Sequence, residues 1–164
     1  MTDKLIVENI IEKLGSLAIP MEKREFSREE YNILFPRGTV NTPLGKVKLG
    51  KSQFDKMEGR DAGGRQKLLG AMHQTLTDPI VVIQETRDTK TALVYIKTFT
   101  GGGGGINPVI SVVVTQDGEN IAITTYRRKL REVRNKVKMA GSIVYEKNDG
   151  GGPTNGDKSP PSKI

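Results

Sequence analysis

Ile80-Val81-Val82-Ile83, Ala92-Leu93-Val94-Tyr95-Ile96-Lys97-Thr98-Phe99, Val109-Ile110-Ser111-Val112-Val113-Val114-Thr115 and Asn120-Ile121-Ala122-Ile123-Thr124-Thr125-Tyr126 are β-branched runs separated by turn signals. Runs of this length and composition read as strands. Asp117-Gly118 between the last two is a hairpin signal, because both residues accept positive φ. Upstream the period changes. Residues Arg65 to Leu76 place Leu68, Leu69, Met72 and Leu76 at helical spacing, and Pro79 marks the exit. Ile6, Val7, Ile10, Ile11, Leu14 and Leu17 predict an amphipathic helix over 4–17. Ser27-Arg28-Glu29-Glu30 is a capping box opening a short helix that Pro36 and Gly38 stop. Thr39–Leu49 reads as a hairpin about Pro43-Leu44-Gly45, and Ser52–Met57 as one more helix. Arg60–Arg65, with Gly63-Gly64, reads as a loop. The basic stretch 127–140 returns to helical composition, and Ile143-Val144-Tyr145 is a last short strand candidate. The fold class is α+β: N-terminal helices, a four-stranded antiparallel sheet, then a basic C-terminal helix.

Three regions follow: a helical N-terminal extension (1–38), an α+β domain (39–147) and a tail (148–164). The tail is Gly, Pro, Ser, Asn and Lys without apolar pattern, and its composition predicts disorder.

Composition narrows the chemistry. There is no Cys and a single His in 164 residues. This excludes thiol nucleophiles, Cys-ligated zinc, iron–sulfur clusters and multi-His metal sites. Asp78, Glu85, Asp88 and Asp117 do not form a two-metal carboxylate pattern, so the expectation is no metal and no cofactor. No apolar run has membrane-spanning length and no secretory h-region is evident, which predicts a cytoplasmic protein without membrane contact. Gly101–Gly105 lacks the Lys-Ser/Thr of a phosphate loop and reads as a flexible connection between strands.

Charge points to an anionic partner. Lys and Arg number 26 against 19 Asp and Glu, a formal +7. The excess concentrates in Arg127, Arg128, Lys129, Arg131, Arg134, Lys136 and Lys138, with Glu132 the one acid among them. Like charges on one helix repel, and a phosphate backbone relieves that repulsion. Strict alternation gives each strand an aliphatic face and a mixed face. It predicts that Tyr95, Lys97, Ser111, Thr115, Thr124 and Tyr126 share one open sheet surface. His73, close to a helix C-terminus, is the side chain naturally poised near neutral pH.

Gly70-Ala71-Met72-His73-Gln74-Thr75-Leu76-Thr77-Asp78-Pro79 before Ile80-Val81-Val82-Ile83, then Val94-Tyr95-Ile96-Lys97, Val109–Val114 and Ile121–Arg128, resembles the barnase–EndoU–colicin–RelE-like nuclease superfamily, in its phage-associated branches. Such domains end phage head-morphogenesis and large mobile-element proteins. The resemblance implies metal-independent RNA cleavage on a sheet face. It maps the catalytic roles onto His73, Lys97, Thr124 and Arg127, with Ser111 a further candidate. Relatives that carry a His near the end of the last strand meet Tyr126 here. The expected reaction is attack of a ribose 2′-OH on the adjacent phosphate, leaving a 2′,3′-cyclic phosphate. Ser111, Tyr126, Arg128, Lys129, Arg131 and Arg134 are the expected nucleic-acid contacts. RNA or another nucleic acid is the expected partner, with a protein inhibitor or a larger phage or mobile-element polypeptide beside it. The competing reading is a non-catalytic nucleic-acid-binding accessory module that uses the basic 127–138 segment.

Overall fold

The computed structural model describes residues 2–21, 27–49, 69–87, 90–101 and 105–148. The expected helix Ser52–Met57, the loop Arg60–Arg65, the centre of the glycine run and the tail from 149 onward lie outside them. The elements in chain order are α1 (Lys4–Ser16), β1 (Ile19–Pro20), α2 (Arg28–Leu34), a 3-10 turn (Pro36–Gly38), β2 (Thr39–Thr42), β3 (Gly45–Leu49), α3 (Leu69–Thr77), β4 (Val81–Arg87), β5 (Lys90–Thr100), β6 (Ile106–Gln116), β7 (Glu119–Arg127), α4 (Leu130–Met139) and β8 (Ser142–Glu146).

The class is mixed α and β as expected, but the sheet is larger than four antiparallel strands. Eight strands join it, in the order β2-β3-β7-β6-β5-β4-β8, with β1 added beside β5. The four expected strands form its antiparallel centre. The additions include two parallel pairings, β3 with β7 and β1 with β5. Short flanking strands cover what would otherwise be unpaired edges of the central meander. Asp117 (φ 51°) and Gly118 (φ 81°) make the β6–β7 turn that the sequence signals. The capping box also forms: Glu30 N–H donates to Ser27 Oγ at 3.1 Å, and Ser27 N–H to Glu30 Oε1 at 3.0 Å.

Helices cover both faces of the sheet, a second departure from the expected open surface. Val82, Tyr95 and Val113 pack with Phe35, Leu69, Met72 and Leu76 from the α2–α3 side. Val81, Ile83, Val94, Ile96 and Ile110 pack with Val7, Ile10 and Leu14 of α1 and with Val133 and Val137 of α4. Burying each such aliphatic side chain contributes roughly 1.5–3 kcal/mol. The first helix, expected as an extension, is therefore part of the core. Thr98 Oγ1 donates to the Leu14 carbonyl, and Lys13 Nζ donates to Glu146 Oε2 and the Lys147 carbonyl, each at 2.7 Å. Among the described residues, no helix is long and apolar enough to cross a membrane.

One irregularity decides which side chains meet. Val112 pairs with Thr124 but Val113 pairs with Ala122, so Ile123 is an extra residue in β7. A bulge of this kind breaks strict alternation and re-aims the residues around it. Thr125, not Thr124, therefore stands with Ser111 and Tyr95 on the α3 side. Thr124 and Tyr126 stand on the side of Val112 and Ile110.

Candidate active site

The expected cluster is split between the two faces, and most of its α3-side members are buried. Lys97 is 2% exposed, and Tyr95 and Ser111 are equally enclosed. Each has an internal partner. The Ser111 and Thr125 hydroxyls are 2.8 Å apart. Tyr95 Oη lies 2.9 Å from Thr42 Oγ1, whose own proton goes to the Gly45 carbonyl. Burial pushes the Tyr95 phenol pKa up, partly offset by that contact.

Lys97 Nζ donates to the Asp78 carbonyl at 2.9 Å and to Asp78 Oδ2 at 3.0 Å. Lys147 Nζ donates to both oxygens of the same carboxylate, at 2.9 and 2.8 Å. Burial alone would push Asp78 up. The hydrogen bonds and charges of Lys147 and Lys97 outweigh it and hold the carboxyl below its ordinary value. This cluster ties the end of α3 to β5 and to the segment after β8.

His73 turns toward α2, its ring edge-on to Phe35 with centroids 5.3 Å apart. Burial lowers its pKa, and a hydrogen bond with the Leu34 backbone pulls weakly the other way. The neutral ring is thus favoured in the folded state, and the unfolded chain binds the proton more readily. Its contribution to stability is complete above pH 6.5 and is lost as pH falls through that value toward the lower folded pKa. A His73→Gln variant should therefore lose less melting temperature than the parent between pH 7 and pH 5. Parallel losses in the two proteins would contradict this placement of the ring.

Arg127 is exposed at the end of β7, on the Lys97 side of the sheet. The basic helix is not a uniform cationic face. Acids from distant elements neutralise part of it: Arg134 pairs with Glu8 of α1, and Lys136 Nζ lies 3.0 Å from Glu85 Oε2 of β4. Arg128, Lys129 and Arg131 are exposed around the start of α4. The Lys129 N–H bond to Glu132, aided by the charges of Arg128, Lys129 and Arg131, holds that carboxyl below its usual value.

On the α1–α4 face, toward the β4–β5 and β6–β7 turns, the sheet carries a pocket of about 360 Å³. Ala92, Val112 and Val114 supply apolar lining, and Glu85, Lys90, Thr124, Tyr126 and Lys136 supply its polar groups. Glu85 pairs with Ala92 across β4–β5, and Lys90 is two residues along on the same face. Such diagonal neighbours stand about 7–8 Å apart. The Arg128 guanidinium carbon lies 4.3 Å from the centre of the Tyr126 ring, which joins the pocket to the exposed start of α4. Of the expected residues, Thr124 and Tyr126 line this pocket, and Arg128 reaches it through Tyr126. His73, Lys97 and Ser111 do not line it. Glu85, Lys90, Ile123 and Lys136 line it too; from sequence, Lys136 stands out only within the basic stretch and Glu85 only among scattered carboxylates, while Lys90 and Ile123 carry no signal of their own. Glu85 and Lys90 flank the β4–β5 turn with charge on one side of the hairpin. Among the described residues, no three His, Asp or Glu side chains come together as a metal site.

No curated protein and no solved structure matches this chain. The model of a phage nuclease family matches residues 22–146, most of the chain. The match spans α2 through β8, with seven of the eight strands, the pocket and α4 inside it, and leaves α1 and β1 outside. The nuclease family implies a nucleic-acid substrate, in keeping with the basic charge beside the pocket. The chain belongs to the phage-Barnase-EndoU-ColicinE5/D-RelE like nuclease2 family.

Proposed function

We propose that this protein is a metal-independent endoribonuclease whose active site is the pocket on the α1–α4 face. The observation that carries the reading is that a carboxylate and two ammonium groups, Glu85, Lys90 and Lys136, line one pocket with Thr124, Lys136 Nζ lying 3.0 Å from Glu85 Oε2, beside exposed cationic side chains. Glu85 accepts the proton of a ribose 2′-OH. The 2′ oxygen attacks the adjacent phosphorus, and the bond to the 5′ oxygen of the next nucleotide breaks. Lys90, diagonal to Glu85, gives that leaving oxygen a proton. In-line displacement needs base and acid on opposite sides of the phosphorus, and the diagonal spacing suits this. Lys136 orients the Glu85 carboxylate and, with the Thr124 hydroxyl, stabilises charge on the phosphoryl oxygens. The products are a 2′,3′-cyclic phosphate and a 5′-OH. Arg128, Lys129 and Arg131 hold the flanking phosphates, so affinity falls steeply with salt.

His73 and Lys97 take positioning roles in this reading, since their polar groups are engaged within the fold. Arg127 serves as a phosphate contact. DNA binds the same cationic surface but lacks the attacking hydroxyl. The test is incubation of the full chain with end-labelled single-stranded RNA in excess EDTA. Fragments with cyclic phosphate ends are expected. Salt-sensitive binding without any cleavage would overturn the proposal and leave a nucleic-acid-binding module in its place.

A further inference from the structure

We infer that Ile123 and Tyr126 form a clamp that holds one nucleobase over Thr124, a base-binding subsite within the pocket. This rests on the ribonuclease reading and adds the part of the substrate that the pocket grips. The β7 bulge supplies the first jaw. Ile123, the extra residue of the bulge, lines the pocket, and 40% of this large aliphatic residue is exposed. The second jaw is Tyr126, three residues along the same strand and lining the same pocket. Its ring carries the Arg128 guanidinium on one face, which fixes its orientation and adds a positive charge beside it.

The dimensions suit a base. Three residues of extended chain span about 10 Å, and a bulge shortens this. A flat ring sandwiched at van der Waals distance needs about 7–8 Å between the flanking groups. Thr124 stands between the jaws with its hydroxyl available at the floor. Glu85 and Lys90 line the same pocket from the neighbouring β4–β5 hairpin, which places the clamped base beside the proposed reacting groups. Aliphatic and aromatic jaws contact the face of a ring, which every base presents, so the clamp orders the nucleotide with little sequence preference.

The experiment measures affinity on the Glu85→Gln protein, so that binding is read without turnover. The probe is a short single-stranded oligoribonucleotide, intact or with an abasic residue at each position in turn. One abasic position should weaken binding by about tenfold, within the range of single base–side-chain stacking contacts. Adding Ile123→Ala should weaken binding of the intact RNA by a similar factor. Against the RNA abasic at that position it should cause no further loss, because jaw and base are then both gone. Tyr126→Leu should show the same non-additivity. Equal affinity for every abasic probe, or losses that multiply, would overturn the clamp. The two readings fail separately. Cleavage by the parent protein with no abasic penalty sinks only the clamp. A non-additive penalty without any cleavage keeps the clamp and sinks the ribonuclease.

Discussion

Glu85→Gln should lower RNA cleavage by about 10²–10⁴-fold, the usual share of a general base. It should leave the melting temperature nearly unchanged. The amide keeps the size of the side chain and an oxygen that can accept from Lys136. What it loses is the capacity to take a proton. Because that hydrogen bond is kept, what is lost is its charge assistance, on the order of 1 kcal/mol. Rate and stability are thus separated by one atom. Steady-state cleavage of end-labelled RNA, with a thermal melt on the same preparation, checks both. Full activity in a folded Glu85→Gln protein would remove Glu85 from the chemistry.

The opposite behaviour is expected of Lys97. Lys97→Ala should destabilise the fold by about 2–4 kcal/mol, in the range for truncating a large buried side chain together with its hydrogen bonds. The methylene stem is enclosed, and the ammonium holds both the carbonyl and the carboxylate of Asp78. Asp78 keeps Lys147 and partial exposure, so no buried charge is left alone and the loss is mainly cavity and hydrogen bonds. In a chain of this size that is a fall of roughly 5–15 °C in Tm. Activity lost with the fold says nothing about chemistry, so Lys97→Met is the informative companion. Its unbranched side chain fills the same stem volume without the charge. It should fold and cleave RNA at close to the parent rate. A folded but inactive Lys97→Met protein would return Lys97 to the catalytic machinery.

The local parts of the fold were legible because their causes are local. Asp117-Gly118 made its turn, Ser27 with Glu30 made its capping box, and the alternation of β5 and β6 put Lys97 and Ser111 on one side, as the pairing has them. Three misreadings share a physical origin in contacts distant along the chain. The mixed face reads as open because hydroxyls and a lysine suit water. Thr42, Thr125 and Asp78 satisfy those groups internally, which lets helices pack over them. Alternation puts Thr124 beside Ser111 because Ile121-Ala122-Ile123-Thr124-Thr125 alternates well enough to hide the extra residue. The bulge is visible only in the pairing with Val112 and Val113. The basic stretch looked unneutralised because its acids, Glu8 and Glu85, come from elements far along the chain. The same blindness hid the candidate site. Glu85 and Lys136 are 51 residues apart, and no spacing rule joins them.

Attack by the 2′-OH is tested most directly by cleavage of DNA oligonucleotides that carry a single ribonucleotide, one for each base, in excess EDTA. One cut is expected, immediately 3′ of the ribonucleotide, leaving a 2′,3′-cyclic phosphate, and no cut in the all-DNA control. Cleavage at deoxy positions, or a product with a 5′-phosphate, would contradict attack by the 2′-OH and with it the assignment of Glu85.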